Sequence, residues 1–163
     1  EERLLVPMLV TGLKQWHLRK GCTFYTREQF ERVASSVPDA SDVLALFGEI
    51  DCREGLGAAV KRGIYESVEK ASEEVTKIYT RELGTLTMAR KLRILVHDVA
   101  PVLAPCRETV ATFNAVLARA VAAARAPRLQ LVAVGGAMLD SESGELLQEL
   151  NFDQTHLHPC YVE

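Results

Sequence analysis

The sequence lacks the features that mark several large classes of protein. Its 19 Lys and Arg residues do not outnumber its 22 Asp and Glu residues, and the net charge of −3 provides no basic surface for nucleic acid. It has no apolar run of about eighteen residues, so no membrane span is predicted. Its four cysteines form no Cys-x-x-Cys pair, which argues against structural zinc and a disulfide framework. Free thiols favour a reducing, intracellular compartment.

What is present is typical of one globular domain. The 163 residues suffice for a single core, with 48% hydrophobic and 25% charged residues. The chain begins Glu1-Glu2-Arg3, which is neither an initiator Met nor a signal peptide, so we expect a processed or cut start.

The hydrophobic pattern predicts alternating strands and helices. Apolar runs without alternation predict strands at residues 4–10, 43–47, 93–99 and 129–134. Apolar residues spaced three or four apart predict helices at about 27–37, with Thr26 as its cap, and at 64–88 and 107–125. This order favours an α/β fold, a three-layer αβα sandwich around a parallel sheet.

Chemistry in such sheets gathers at the carboxyl ends of the strands. Thr11-Gly12, the segment from Gly48 to Arg53 and the segment from Asp98 to Arg107 each follow a predicted strand. The later loop that contains Asp153 and His156 can return to the same edge. We therefore expect these segments to meet.

The most informative segment is Asn151-Phe152-Asp153-Gln154-Thr155-His156-Leu157-His158-Pro159. An Asp three residues before a His can accept the imidazole Nδ1–H and fix the tautomer. The other ring nitrogen is then free to take a proton from a serine hydroxyl. Asp153 and His156 are thus the candidate catalytic pair.

Two segments resemble blocks of the SGNH/GDSL-type hydrolase superfamily. Asp153 and His156 match its D-x-x-H closing block, and Phe47-Gly48-Glu49-Ile50-Asp51-Cys52-Arg53 is similar to the FGEIDCR third block of one branch. The resemblance implies a flavodoxin-like sandwich and a serine esterase or acylhydrolase with no metal or organic cofactor. Its substrate would be a small ester or a glycan ester, with His156 as general base and then acid.

The resemblance implies weaker candidates for oxyanion or substrate binding. Gly12 would be the second block, and Gly48 and Asp51 match the third, in which Ile50 occupies the usual Asn position and supplies no donor. Losing one such donor can cost two to three orders of magnitude in rate. Glu49 or Arg53 could substitute for it, and Arg107 is a further substrate-binding candidate.

No Gly-Asp-Ser nucleophile block occurs in the sequence. The resemblance places it before residue 1, on a central strand, so we expect these residues to be the middle and end of a longer domain, or a partner to fill the gap. The alternative is a catalytically inactive hydrolase-like module that binds protein partners. The missing Ser and Ile50 favour this alternative, and the intact Asp153–His156 pair disfavours it.

Several candidates also have structural interpretations. Asp51 and Arg53 could form an ion pair at a strand end, and His97 is expected to be a hydrogen-bonded core or rim residue. His17 and Trp16 could line a cleft or simply pack. Cys52 and Cys160 are expected to be packed or semi-buried thiols. Asp153, His156, His158 and Cys160 are metal-ligand types, but their spacing matches no common zinc site.

Overall fold

A parallel sheet of three strands organises the chain in the computed structural model, which describes residues 5–154 and 156–162. The strands are β1 (Asp42–Leu46), β2 (Arg93–His97) and β3 (Leu129–Val132), in the spatial order β1-β2-β3. Leu44 lies opposite Leu95, and Leu46 lies opposite His97. The predicted parallel pairing of these apolar runs is confirmed.

Within the described residues, four α-helices accompany the sheet: α1 (Tyr25–Ser36), α2 (Leu56–Lys61), α3 (Val68–Arg90) and α4 (Arg107–Ala123). A π-helical turn (Asp51–Gly55) precedes α2, and short 3₁₀ turns occupy Gln15–Leu18, Ala104–Cys106, Gly135–Met138, Gln148–Leu150 and Pro159–Val162. None of these helices, within the part of the chain described, is long and apolar enough to cross a membrane.

Local hydrogen bonds explain two differences from the predicted helix starts. Helix α3 begins at Val68, because the Ser67 hydroxyl accepts the Lys70 N–H at 3.2 Å and caps it. Helix α1 begins at Tyr25, so the predicted cap at Thr26 is wrong. Thr26 is buried inside the first turn, and its hydroxyl lies 2.8 Å from His17 Nδ1.

The predicted strand at residues 4–10 is also wrong. Leu4 lies outside the described residues, and residues 5–10 form no regular structure. Leu5, Val6 and Leu9 are 70%, 78% and 80% exposed. Pro7 interrupts this apolar run, and because proline has no N–H to give to a ladder, it opposes pairing within a sheet.

The core lies between the helices and one face of the sheet. Ala45, Ile94 and Val96 point from this face into a cluster that includes the fully buried Tyr79 and Phe113 of α3 and α4. Right-handed crossovers between strands laid down in the order β1-β2-β3 place their helices on the same face.

The opposite face of the sheet is less covered. Leu44 and Leu46 of β1 are 36% and 54% exposed, and Leu95 is half-buried. Tyr161 packs against His97 at the carboxyl end of this face. The three parallel strands and four helices are compatible with a three-layer sandwich, the third layer being thin in the described residues.

Candidate functional site

The structure joins Asp153 and His156 directly. One carboxylate oxygen of Asp153 lies 2.7 Å from His156 Nδ1, and the other accepts the His156 main-chain N–H at 2.7 Å. With Nδ1 engaged, the free Nε2 can accept a proton. The predicted hydrogen-bonded pair is therefore present, and the His156 side chain is 71% exposed.

A tight loop holds this pair in place. Asn151 and Leu157 form an antiparallel bridge across the loop, and the Phe152 N–H donates to the His156 carbonyl at 3.1 Å. The Asn151 side chain accepts the Gln154 N–H at 2.7 Å. These contacts are local, so the spacing of Asp153 and His156 is set mainly by the loop's own sequence.

His156 lies at the edge of a cavity of about 410 Å³. The walls come from the segments that follow β1 and β2, from the start of α4 and from the C-terminal segment, including Leu157 and Tyr161. Three of the segments expected to meet, those after β1 and β2 and the one containing His156, thus border the same space. The position matches the rule that parallel sheets bind ligands beyond the carboxyl ends of their strands.

Glu49 and Arg53 both line this cavity and bind each other. Arg53 Nη1 lies 3.0 Å from Glu49 Oε1, and Arg53 Nη2 lies 3.2 Å from Glu54 Oε1. The guanidinium charge is therefore balanced by two carboxylates at the rim. Arg53 pairs with these glutamates, so the alternative of an Asp51–Arg53 ion pair does not hold.

Asp51 has a structural role below the cavity. It is 2% exposed, and its two oxygens accept the Gln15 main-chain N–H at 2.9 and 3.2 Å. This interaction anchors the 3₁₀ turn Gln15–Leu18 against the segment after β1. Burial raises the pKa of Asp51 to about 6, because desolvation penalises the charged carboxylate more than the Gln15 N–H and the Lys14 charge favour it.

We predict that Asp51→Asn flattens the dependence of stability on pH. A folded pKa raised to about 6 means that the contribution of Asp51 is fully present below about pH 4 and is lost as pH rises through 6. In the original chain, the free energy of unfolding should fall by on the order of 2 kcal/mol between pH 4 and 7, and the variant should lack this fall. Urea titrations at several pH values measure it, with the exposed Glu66→Gln as control. An unchanged pH profile would contradict the prediction.

Three other predicted site residues lie away from the cavity walls. Gly12 lies in a turn with φ +72°, beside the Tyr25 hydroxyl, and it follows no strand. Gly48 packs closely under Val99 and Phe113, so it shapes the segment after β1 without lining the cavity. Arg107 is held by the Glu145 carboxylate and donates to the Pro101 carbonyl at 3.2 Å. These contacts give Arg107 a bracing role.

Tyr161 lines the cavity with His97, and no sequence pattern indicated this residue. His97 is buried, as expected for a core or rim histidine. With His97 Nδ1 donating to the Asp98 carbonyl, Nε2 accepts from the Tyr161 hydroxyl. Partial burial raises the pKa of Tyr161. The position of His97 in a predicted strand, next to the polar Asp98, indicated a residue at the rim of the core. Tyr161 lies outside both segments that resemble hydrolase blocks.

Two side chains fix the loops around the cavity. The Asn114 amide accepts the Val99 N–H at 2.9 Å and donates to the Val99 carbonyl at 2.8 Å, so it clamps the loop after β2. The Asp98 carboxylate accepts the N–H groups of Val134 and Gly135 at 3.2 and 2.9 Å. Such paired buried groups position the loop without presenting unsatisfied polar atoms.

Trp16 and His17, the remaining candidates, pack against neighbours outside the cavity. The Trp16 ring stacks under the Arg19 guanidinium at 4.6 Å, and His17 lies against Phe24 with ring centroids 4.7 Å apart. Neither Trp16 nor His17 lines the cavity, so of the two roles predicted for them the packing role holds.

The thiols differ in exposure. Cys52 is buried at the cavity wall, and burial raises its pKa well above the ordinary range, which opposes formation of a thiolate nucleophile. Cys160 is exposed, so the expectation of a packed or semi-buried thiol is wrong for it, and its thiol contacts the Glu149 carbonyl at 3.4 Å. Within residues 5–154 and 156–162, no three His, Cys, Asp or Glu side chains are grouped to hold a metal ion.

No protein-family model, curated protein or solved structure matches this chain. The similarity to SGNH-type hydrolases therefore rests on the two sequence segments, and its functional meaning depends on the chemistry of the site.

Proposed function

We propose that this chain carries the acid–base half of an SGNH-type serine esterase or acylhydrolase site. The observation that supports the proposal most directly is the Asp153–His156 hydrogen bond at the edge of a cavity beyond β1 and β2. An imidazole oriented by a carboxylate and facing a cleft is the arrangement that general acid–base catalysis requires.

In the proposed reaction, a serine Oγ attacks the carbonyl carbon of the ester while its proton passes to His156 Nε2. The bond from that carbon to the alcohol oxygen breaks, and His156 returns the proton to the departing alcohol. Water then attacks the acyl-serine and gives a proton to His156. The bond between the acyl carbon and Oγ breaks, and His156 returns the proton to Oγ, which releases the carboxylic acid and the free serine. Asp153 keeps Nδ1 protonated throughout and stabilises the imidazolium.

The developing oxyanion needs donors as well. Ile50 supplies none, and among the described residues that line the cavity Arg53 is the only Arg or Lys. We therefore assign Arg53 as the candidate hydrogen-bond donor to this oxygen, because Glu49 and Glu54 each bind one of its Nη atoms and a guanidinium carries five N–H groups.

The proposal requires a serine that the described cavity walls do not contain. The direct test is to treat the natural chain, as its gene encodes it, with a fluorophosphonate probe and to map the adduct by mass spectrometry. We expect one labelled serine, with a labelling rate reduced at least tenfold by Asp153→Asn. Absence of any labelled serine would overturn the proposal.

For the 163-residue chain by itself we predict no hydrolysis that depends on His156. None of its described serines lines the cavity, so the imidazole has no serine hydroxyl to activate there. The rate with p-nitrophenyl acetate should equal that of its His156→Ala variant. A clear difference between the two would contradict this prediction, and it would mean that one of these 163 residues is the nucleophile.

A specific observation also favours the alternative, a non-catalytic module that binds another protein. Leu44 and Leu46 lie on the same, less covered face of β1 and are 36% and 54% exposed. Neighbouring exposed apolar side chains are typical of a surface that another chain covers. This alternative predicts no labelled serine in the experiment above.

A further inference from the structure

Most polar side chains in the walls of the cavity beside His156 are already bound to one another or to the main chain. His97 binds Tyr161, the Asp98 carboxylate binds two N–H groups, and Arg53 binds Glu49. The surface left to a ligand is therefore dominated by aliphatic and aromatic carbon.

Apolar residues of several segments share this cavity with His156. Phe47 follows β1, Val110 belongs to α4, Val99, Ala100 and Val102 lie in the loop after β2, and Leu157 is next to His156 in the sequence. A group bound against this wall would place its first polar atoms near the imidazole.

The cavity is larger than a very small ligand can fill. A dry cavity of about 150 Å³ holds a benzene ring, whereas this space measures about 410 Å³. An acetyl group would leave most of it empty. A sugar ring would bury hydroxyl groups for which these walls offer few partners, and each unpaired hydroxyl is costly.

We infer that the cavity binds the apolar acyl chain of the substrate ester, several carbons long, with the ester carbonyl at His156. This inference rests on the proposed hydrolase function and names its substrate class. The alcohol part of the ester, a sugar included, then lies outside the cavity on the solvent side, near Glu49 and Arg53.

Binding is measured separately from catalysis with methyl ketones, which imitate the ester carbonyl and are not hydrolysed. Methyl-group NMR titrations of the 163-residue chain with 2-butanone, 2-pentanone, 2-hexanone and 2-heptanone give the dissociation constants. We expect the affinity to rise about threefold to fourfold for each added methylene, the value for burying one CH₂.

Ala100→Phe fills the cavity from the loop after β2, and we expect it to weaken 2-heptanone binding at least tenfold. The matched control is Ala104→Phe in the same loop, where the alanine is exposed and does not line the cavity. Val102→Trp provides a second filling variant if Ala100→Phe does not fold. Affinity that is independent of chain length, or that is unchanged in a folded filling variant, would overturn the inference.

The two proposals fail in different ways. If the ketones bind with the expected dependence on chain length but the natural chain hydrolyses no ester, the acyl pocket stands and the hydrolase function falls. If the natural chain hydrolyses p-nitrophenyl acetate and p-nitrophenyl hexanoate with equal kcat/KM, the hydrolase function stands and the acyl pocket falls.

Discussion

His156→Ala is expected to lower kcat/KM of the natural chain for p-nitrophenyl esters by about 10²–10⁴, the range that a positioned general base contributes. The imidazole is the group that accepts the serine proton in the proposed mechanism, and Asp153 holds its Nδ1 at 2.7 Å. The variant should fold normally, because the His156 side chain is 71% exposed and buries little apolar surface. Steady-state hydrolysis and a thermal unfolding curve, measured on the same preparation, check both parts.

The matched control is His158→Ala, two residues further along the same loop. His158 Nδ1 accepts the Cys160 main-chain N–H at 3.2 Å, and His158 does not line the cavity. We expect the rate to remain within about twofold of the original, since a surface substitution usually changes stability by less than about 0.5 kcal/mol. If the two histidine variants lose equal activity, the effect belongs to the loop and His156 is not the base.

Much of the fold follows from patterns within short stretches of sequence. The runs that became β1, β2 and β3 are apolar on both faces, as buried parallel strands require, and α3 and α4 carry one apolar stripe each. The run at residues 4–10 has the same composition but forms no strand in its described part. A prediction from apolar composition does not take Pro7 into account, and it cannot show whether a partner strand is available.

In the site, too, contacts between residues close in sequence were predictable, and contacts between residues far apart in sequence were not. Asp153 and His156 are three residues apart and meet through their own loop, so the sequence predicted their contact. Arg107 is held by Glu145, which is 38 residues away, and Tyr161 reaches His97 across 64 residues. No spacing rule encodes such pairings, because they depend on how the loops return to the sheet.

The segment after β1 shows how a motif can be useful for a reason other than the predicted one. Gly48 matched a block of the hydrolase resemblance as an oxyanion candidate, yet its surroundings give it a packing role. Its φ is +124°, and a Cβ there would lie 2.8 Å from Val99 Cγ2 and 2.9 Å from Phe113 Cε1. Only glycine adopts this backbone conformation readily, so the bend that carries Glu49 and Arg53 to the cavity depends on it.

Gly48→Ala is therefore expected to destabilise the fold by about 2–6 kcal/mol. The strained backbone contributes about 1–3 kcal/mol, and the overpacked contacts with Val99 and Phe113 contribute about 1–3 kcal/mol. Urea unfolding measures the change as a lower midpoint at an unchanged slope. The control is Gly57→Ala in α2, where an added Cβ meets no atom within 4 Å. Alanine there should stabilise the helix by up to about 1 kcal/mol. A Gly48→Ala loss no larger than the effect at Gly57 would show that the chain after β1 can shift to accommodate a side chain, and the cavity wall would then be adaptable where we describe it as fixed.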